Sequence, residues 1–253
     1  IAYNESRGAY LTSSSDGGVT WLTPTLIFDA ATAGWTGLDD VQLVLDPSTG
    51  VLHAAWLRLG AADASGNRAI YYARSMDSGA TWSPSMQVID GAVNSPRLAV
   101  TAERVVTLVW NRARTPANSP NAPFELWGQF SPDDGQSWSA RTQIQGFGLI
   151  SGPGAMAADR GGQIYLGAIG ESSNGEGQML VAEWSGDHWG APEQVVLGQP
   201  ASLGNVLTLA TDSAGGTLHA LLRMAVLQPD SQLQPEVRHA SRPVRLKAPL
   251  AVP

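Results

Sequence analysis

The sequence predicts an all-β protein in which one antiparallel sheet is repeated several times along the chain. Three observations support this: a turn motif occurs three times, short strand-like segments surround each copy, and no stretch combines helical periodicity with helix caps. Glycine and proline contribute 28 and 16 of the 253 residues, which suits a chain with many tight turns. The predicted unit is therefore a small sheet that carries one copy of the motif.

The motif has the form Ser-x-Asp-x-Gly-x-Thr/Ser-Trp, and its copies begin at Ser14, Ser75 and Ser131. The aspartate, glycine and tryptophan of the three copies are Asp16, Gly18 and Trp21, then Asp77, Gly79 and Trp82, then Asp133, Gly135 and Trp138. A shortened copy ends at Trp189. The tryptophans at 21, 82, 138 and 189 are 61, 56 and 51 residues apart, a period that fits a four-stranded unit.

The residue types of the motif predict a hairpin turn. An aspartate accepts hydrogen bonds from backbone N–H groups a few residues further on, and a glycine adopts positive φ without a steric penalty. The tryptophan is a large apolar side chain that can be buried against neighbouring strands. In the shortened copy, Asp187 lies on a tighter turn, which we expect to keep the tryptophan and lose part of the polar network.

Each unit follows the order strand, tight turn, strand, long loop, strand, motif turn, strand. Radial repetition of such four-stranded antiparallel sheets predicts a β-propeller. Five units are recognisable, of which the opening one lacks its first strand and the closing one lacks the motif, so that only Val244 to Lys247 could supply its fourth strand. We expect one propeller domain over residues 1–247 and a tail or linker over 248–253.

Two interpretations of the blade number stay open at this point. The chain fits about four and a half to five blades of a six-bladed propeller, which at about 55 residues per blade needs about 330 residues. It also fits a compact five-bladed ring that its own C-terminal segment closes. The first is the preferred interpretation.

The repeated motif resembles that of the Asp-box (BNR) repeat proteins of the sialidase superfamily, and the resemblance extends over nearly the whole chain. In that family the motif is a peripheral structural turn away from the active face. The resemblance therefore implies a structural role for the nine motif residues named above. It also implies a secreted or bacterial cell-surface location.

Composition excludes several functional classes. Fifteen basic and 22 acidic residues give a net charge of −7, which is a poor match for nucleic acid, and no apolar run is long enough to span a membrane. The chain has no cysteine, so a thiolate metal site or a cysteine nucleophile is excluded. The four histidines lack ligand spacing and no phosphate-binding loop is present, so we expect neither a metal nor a cofactor.

Candidate binding residues lie where the second strands end and the first strands begin, on the face that carries the long loops. We call this the long-loop face. Arg58, Arg112 and Arg223 each end a second strand at positions that the sequence aligns as equivalent. Arg97 opens a first strand, and Asp39 and Asp40 precede Arg58. Sialidases hold a sugar carboxylate with three arginines and place an acidic residue near the start of a first strand, so the resemblance implies a tentative ligand site here. Strand ends of any propeller carry such residues, so a structural or solvated role is the simpler interpretation of each.

Two functions are consistent with these residues. The first is a non-catalytic recognition module that binds a glycan or a protein on the long-loop face. The second is a sialidase-like glycoside hydrolase, an exo-α-sialidase that binds a carboxylated sugar through an arginine cluster. The Arg-Ile-Pro signature of sialidases is not in this sequence, and all five tyrosines lie in predicted strands. Glu125, Glu171 and Glu236 could each assist a tyrosine nucleophile, but nothing in the sequence selects a pair, so the first function is preferred.

Overall fold

The computed structural model describes residues 1–5, 8–59, 68–113, 124–150, 152–171, 177–195, 202–212, 216–227 and 232–244. These residues form strands, turns and loops, with no helix among them. Sheet 1 contains β1 (Ala2–Glu5), β2 (Gly8–Leu11) and β3 (Thr25–Asp29). Sheet 2 contains β4 (Gly37–Leu45), β5 (Leu52–Leu59), β6 (Arg68–Ser75) and β7 (Met86–Gly91). Sheet 3 contains β8 (Val93–Val100), β9 (Val106–Ala113), β10 (Phe124–Ser131) and β11 (Thr142–Gln143). Sheet 4 contains β12 (Ala155–Ala158), β13 (Ile164–Glu171), β14 (Gly177–Glu183) and β15 (Glu193–Val195). Sheet 5 contains β16 (Ser202–Thr211), β17 (Thr217–Leu227) and β18 (Leu233–Pro243).

Within each sheet the strands pair antiparallel in the order in which they occur in the chain. The leading strands β1, β4, β8, β12 and β16 contact one another in succession, which places them on the inner side of the arrangement. This is a β-propeller of antiparallel blades, so the predicted fold class is confirmed. In the opening sheet, β1 precedes β2, and β2 leads into the first motif turn, as the sequence predicted.

The hydrophobic core lies between successive sheets. Strand β5 is buried along most of its length because its two faces pack on different neighbours. Trp56 faces sheet 1, whereas Leu57 faces sheet 3 together with Tyr72. Alternate residues of one strand therefore serve two separate cores, which is why its sequence is a continuous apolar run.

Sheets 1 and 5 each leave one face uncovered by the described residues. His53 of sheet 2 is fully buried, whereas His219, at the same strand position in sheet 5, stacks on His239 at a ring distance of 5.1 Å on the outward side. Leu221 and Val237 on that side are 49% and 73% exposed. The outward face of sheet 5 is thus the counterpart of a face that is buried in sheet 2.

The three motif turns share one hydrogen-bond pattern. In the second copy the Asp77 carboxylate accepts the backbone N–H of Thr81 at 2.8 Å and its hydroxyl at 2.6 Å, and the Ser75 hydroxyl accepts the N–H of Gly79 at 2.8 Å. The first and third copies repeat these bonds around Asp16 and Asp133. Hydrogen bonds from the threonine or serine hydroxyl four residues on lower the pKa of Asp77 and Asp133 to about 2.

In the second and third copies the motif glycine is also required because the turn lies close to the preceding sheet. A Cβ atom on Gly79 would lie 2.1 Å from Leu11 Cδ2, and one on Gly135 would lie 1.9 Å from the Tyr72 hydroxyl. Both glycines have φ near +90°, at +91° and +81°. These two motif turns therefore dock onto the preceding sheet, at the strand (β2 or β6) that leads into its own motif turn.

Candidate functional site

The described part of the long-loop face consists of the strand ends from which the long loops start. The central parts of the four long loops, residues 60–67, 114–123, 172–176 and 228–231, lie outside the described residues, as do 245–253, which include the predicted tail. The strand ends that carry these loops hold most of the candidate side chains. Their geometry decides which of them could meet one ligand.

Arg97 joins three sheets at the inner edge of this face. Its Nη1 donates to Asp40 Oδ1 at 3.0 Å, and its Nε donates to the carbonyl of Gly154 at 2.9 Å. Asp40 lies in a β-bulge of β4 with φ of +52°, and Ser95 lies in the corresponding bulge of β8 with φ of +51°. The two bulges turn Asp40 and Arg97 toward each other, so Arg97 acts as a tie between sheets and its charge is already compensated.

Asp39 is exposed beside this ion pair. Its Oδ1 accepts the backbone N–H of Asp40 at 2.8 Å, which helps to hold the bulge. Of the two predicted acidic residues, only Asp40 contacts a candidate arginine. Asp39 is left as an acceptor that faces solvent.

Arg58 and Arg112 each lie on an indole ring at matching positions of neighbouring sheets. The guanidinium carbon of Arg58 is 5.9 Å from the centre of the Trp35 ring, and that of Arg112 is 4.8 Å from the centre of Trp127. Arg112 is exposed, and Arg58 is partly buried, with no hydrogen-bond partner for its Nε among the described residues. The two arginines therefore present cation–aromatic pairs at the ends of two second strands.

Arg223 does not belong to this set, and the prediction that its position is equivalent is wrong. The tight turn before each second strand closes with a backbone bond to Val51, Val105 or Thr217. Arg58 and Arg112 each lie seven residues after the turn-closing residue of their own sheet, whereas Arg223 lies six residues after its own. Because strand side chains alternate, Arg223 points to the outward side of sheet 5, opposite to the buried Leu222.

Besides Trp127, sequence reasoning missed three contributors to this face. Arg68, at the start of β6, donates a hydrogen bond to Asn94 Oδ1, although its sequence position assigned it to the end of a loop. Trp35 was not linked to Arg58 because the pairing depends on packing between sheets. Asn111 is buried, donates to the carbonyl of Gly152 at 3.0 Å, and its Oδ1 has no partner in the described part of the chain.

The tyrosines lie in strands, as the sequence indicated, and three of their hydroxyls have defined partners. Tyr71 donates to Gln87, Tyr72 to the carbonyl of Asp134 and Tyr165 to the carboxylate of Asp159. Burial raises the pKa of Tyr72 and Tyr165 far above the ordinary value. Tyr3 and Tyr10 stack on each other in sheet 1 at a ring distance of 5.8 Å.

Two of the three candidate glutamates are engaged elsewhere. Glu125 accepts the indole N–H of Trp127 at 3.2 Å, and Glu236 pairs with Arg238 at 3.3 Å. The side chain of Glu171 lies outside the description. Among the hydrogen bonds of the described tyrosines given above, none goes to a glutamate. Within the described residues there is also no group of three His, Asp or Glu side chains that could hold a metal ion, and no helix long and apolar enough to cross a membrane.

Comparison with known proteins shows what this fold resembles. Neither a family model nor a curated protein matches the sequence. Among solved structures, the NanB sialidase of Streptococcus pneumoniae aligns with a TM-score of 0.64 at 15% identity over 92% of this chain and 35% of its own. A leech intramolecular trans-sialidase aligns with a TM-score of 0.62 at 12% identity over 93% of this chain and 36% of its own. The α-L-arabinanase of Penicillium chrysogenum aligns with a TM-score of 0.58 at 16% identity over 90% of this chain and 72% of its own. The chain therefore spans little more than a third of the two sialidase structures, and it has a sialidase-like β-propeller fold.

Proposed function

We propose that this propeller is a non-catalytic carbohydrate-recognition module that binds an acidic glycan on the long-loop face. The observation that carries the proposal is the pair of guanidinium–indole contacts, Arg58 on Trp35 and Arg112 on Trp127. The fold similarity to glycan-processing propellers is consistent with this proposal. A secreted or cell-surface location fits the same role.

The chemistry of these two pairs suits a carboxylated sugar. A guanidinium offers parallel N–H donors that match the two oxygens of a carboxylate. Hydroxyls of the sugar can bond further polar side chains on this face, such as the exposed Arg68. Stacking on the indole also fixes each guanidinium in place, which reduces the side-chain entropy lost on binding.

The same geometry favours binding over hydrolysis. A glycosidase of this fold needs a nucleophile and a partner acid beside the bound sugar. Tyr72 and Tyr165 are buried and bonded to other groups, and Arg97, the most central candidate cation, is compensated by Asp40. Sialidase activity is the rival function, and the experiment below separates the two.

The test is titration of the purified chain with 3′-sialyllactose and with lactose, followed by NMR of the ligand. We expect binding of the sialylated sugar alone, with the sugar intact afterwards. Arg58→Ala and Arg112→Ala should each weaken binding by about tenfold or more, since a charged hydrogen bond contributes about 1.5–3 kcal/mol. Arg160→Ala is the matched control, because Arg160 is exposed on a tight turn at the opposite face.

Two results would overturn the proposal. Equal affinity for lactose and 3′-sialyllactose would show that the carboxylate is not recognised. Release of free sialic acid would show that the chain is a hydrolase and would favour the rival function.

A further inference from the structure

A pocket of about 270 Å³ lies between sheets 3 and 4, beside the shortened motif turn. We call it the Trp184 pocket. Every residue that lines it belongs to the described part of the chain, and none of them is a candidate residue of the long-loop face. An engineered apolar cavity of about 150 Å³ holds a benzene ring, so the Trp184 pocket has room for a small organic molecule.

One wall of the pocket is formed by a motif turn that is two residues shorter than the others. In sheet 3 the backbone N–H of Ser139 donates to the carbonyl of Phe130, nine residues earlier. In sheet 4 the N–H of Gly190 donates to the carbonyl of Glu183, only seven residues earlier. Trp184 therefore holds the position of the motif serine. Because an indole has no acceptor for the N–H of the motif glycine, this turn lacks the anchor of the full copies.

The facing strand of sheet 3 also leaves room. The residue three positions before the motif serine is Leu11 in sheet 1 and Tyr72 in sheet 2, and these side chains lie against the motif glycine of the next sheet. In sheet 3 the same position is Gly128, which lines the Trp184 pocket. A missing side chain on one wall and a shorter turn on the other thus account for the pocket.

Three aromatic rings line the pocket as one group. The ring centre of Trp184 lies 5.6 Å from that of Phe130 and 5.2 Å from that of Trp189. The ring planes meet at 62° and 68°, so the rings form walls of different orientation rather than one flat stack. The faces of aromatic rings carry negative charge density and attract cations.

Two polar groups of the pocket also suit a cation. The side-chain amide of Gln129 donates to the carbonyl of Ser139 at 2.6 Å, which leaves its Oε1 buried and without a partner among the described residues. The Asp187 carboxylate lies at the exposed rim, where its Oδ1 is 2.6 Å from His188 Nδ1. Neither lysine nor arginine is among the residues that line the pocket. Its formal charge is therefore negative, and it holds a buried acceptor that needs a donor.

We propose that the Trp184 pocket binds a small organic ammonium ion that carries N–H groups. The three rings attract the cation, Gln129 Oε1 accepts one of its N–H groups, and the Asp187 carboxylate supplies the opposite charge at the rim. An uncharged molecule of the same size makes no use of that charge, and a quaternary ammonium ion leaves Gln129 without a donor. This site is independent of the glycan binding proposed for the long-loop face.

The probes are n-butylammonium, n-butanol and tetramethylammonium, titrated at constant ionic strength into the purified ¹⁵N-labelled chain. Butanol matches butylammonium in size without its charge, and tetramethylammonium keeps the charge without an N–H group. We expect butylammonium to shift the indole N–H signals of Trp184 and Trp189 and to leave that of Trp138 unchanged. Butanol and tetramethylammonium should each bind at least about fivefold more weakly, which corresponds to about 1 kcal/mol.

A pair of charge variants tests the role of the rim. Asp187→Asn should weaken butylammonium binding about twofold to fivefold, as expected for an exposed ion pair. Asp90→Asn is the matched control, because it removes the same charge from an exposed position on β7 outside the pocket and should leave the affinity unchanged.

Three results would overturn the proposal. Equal affinities for butylammonium and butanol would show a merely apolar site, and equal affinity for tetramethylammonium would remove the role of the Gln129 acceptor. Butylammonium shifts at Trp35 or Trp127 without shifts at Trp184 and Trp189 would place the cation on the long-loop face instead.

Discussion

Replacing Gly135 with alanine should destabilise the protein far more than the same replacement at Gly50. Both glycines have positive φ, +81° and +76°, so both alanines carry the same backbone strain. Their surroundings differ, because a Cβ on Gly135 would lie 1.9 Å from the Tyr72 hydroxyl, whereas a Cβ on Gly50 meets nothing within 4 Å. The pair of variants therefore separates backbone strain from the docking of a motif turn on the preceding sheet.

The magnitude follows from what the new methyl group displaces. The shared strain of a left-handed alanine is about 1–2 kcal/mol. At Gly135 the Tyr72 side chain must also move, and its hydroxyl bonds both His53 Nδ1 at 2.7 Å and the Asp134 carbonyl at 3.2 Å. Leaving such buried groups without partners costs about 1–3 kcal/mol. We therefore expect a loss of about 1–2 kcal/mol for Gly50→Ala and about 2–5 kcal/mol for Gly135→Ala.

Urea unfolding followed by circular dichroism measures both values, and the slope with denaturant shows whether the unfolded state has changed. A protein of this size should lose about 2–4 °C of melting temperature per kcal/mol. Equal destabilisation of the two variants, within about 0.5 kcal/mol, would refute the claim that the motif glycine is required by the contact with the preceding sheet.

Three further predictions concern other parts of the fold. Burial lowers the pKa of His53 from 6.5 to about 4, so between these values only the unfolded chain takes up its proton. The free energy of unfolding should therefore fall by up to about 3 kcal/mol as the pH is lowered through this window. His53→Gln should remove that part of the pH dependence. Urea unfolding at a series of pH values measures both effects. Arg97→Ala should cost about 1–2 kcal/mol in the same assay at neutral pH, because the partly buried tie to Asp40 is lost, and a change below 0.3 kcal/mol would contradict that role. Trp138→Ala should cost about 2–4 kcal/mol, whereas Trp21→Ala, at a half-exposed position, should cost less than about 1 kcal/mol, a contrast that thermal unfolding would detect.

The fold could be predicted from the sequence because its signals are local. The motif turns, the tight turns between first and second strands and the short apolar runs each involve residues close in the chain. The close approach of Gly135 to Tyr72 could not be predicted in this way, because it joins two sheets that lie about sixty positions apart in sequence. The sequence accounts for the positive φ of that glycine but not for the contact.

The candidate site could be predicted less well for a related reason. In the predicted strands Arg223 ends a second strand as Arg58 and Arg112 do, but a shift of one residue in a strand reverses the side on which a side chain lies. The indole partners Trp35 and Trp127 were also missed, because they depend on the packing between strands. The ion pair of Arg97 with Asp40 depends on two bulges that the sequence does not mark.

The central claim is that the long-loop face recognises an acidic sugar without cleaving it. Saturation-transfer NMR of 3′-sialyllactose with the purified chain tests it most directly, because one experiment reports both contact with the sugar and its integrity over time. We predict saturation transfer to the sialic acid ring, which Arg58→Ala strongly reduces, and a spectrum of the sugar that stays unchanged for hours. Signals of free sialic acid, or saturation transfer that Arg58→Ala leaves intact, would contradict the account.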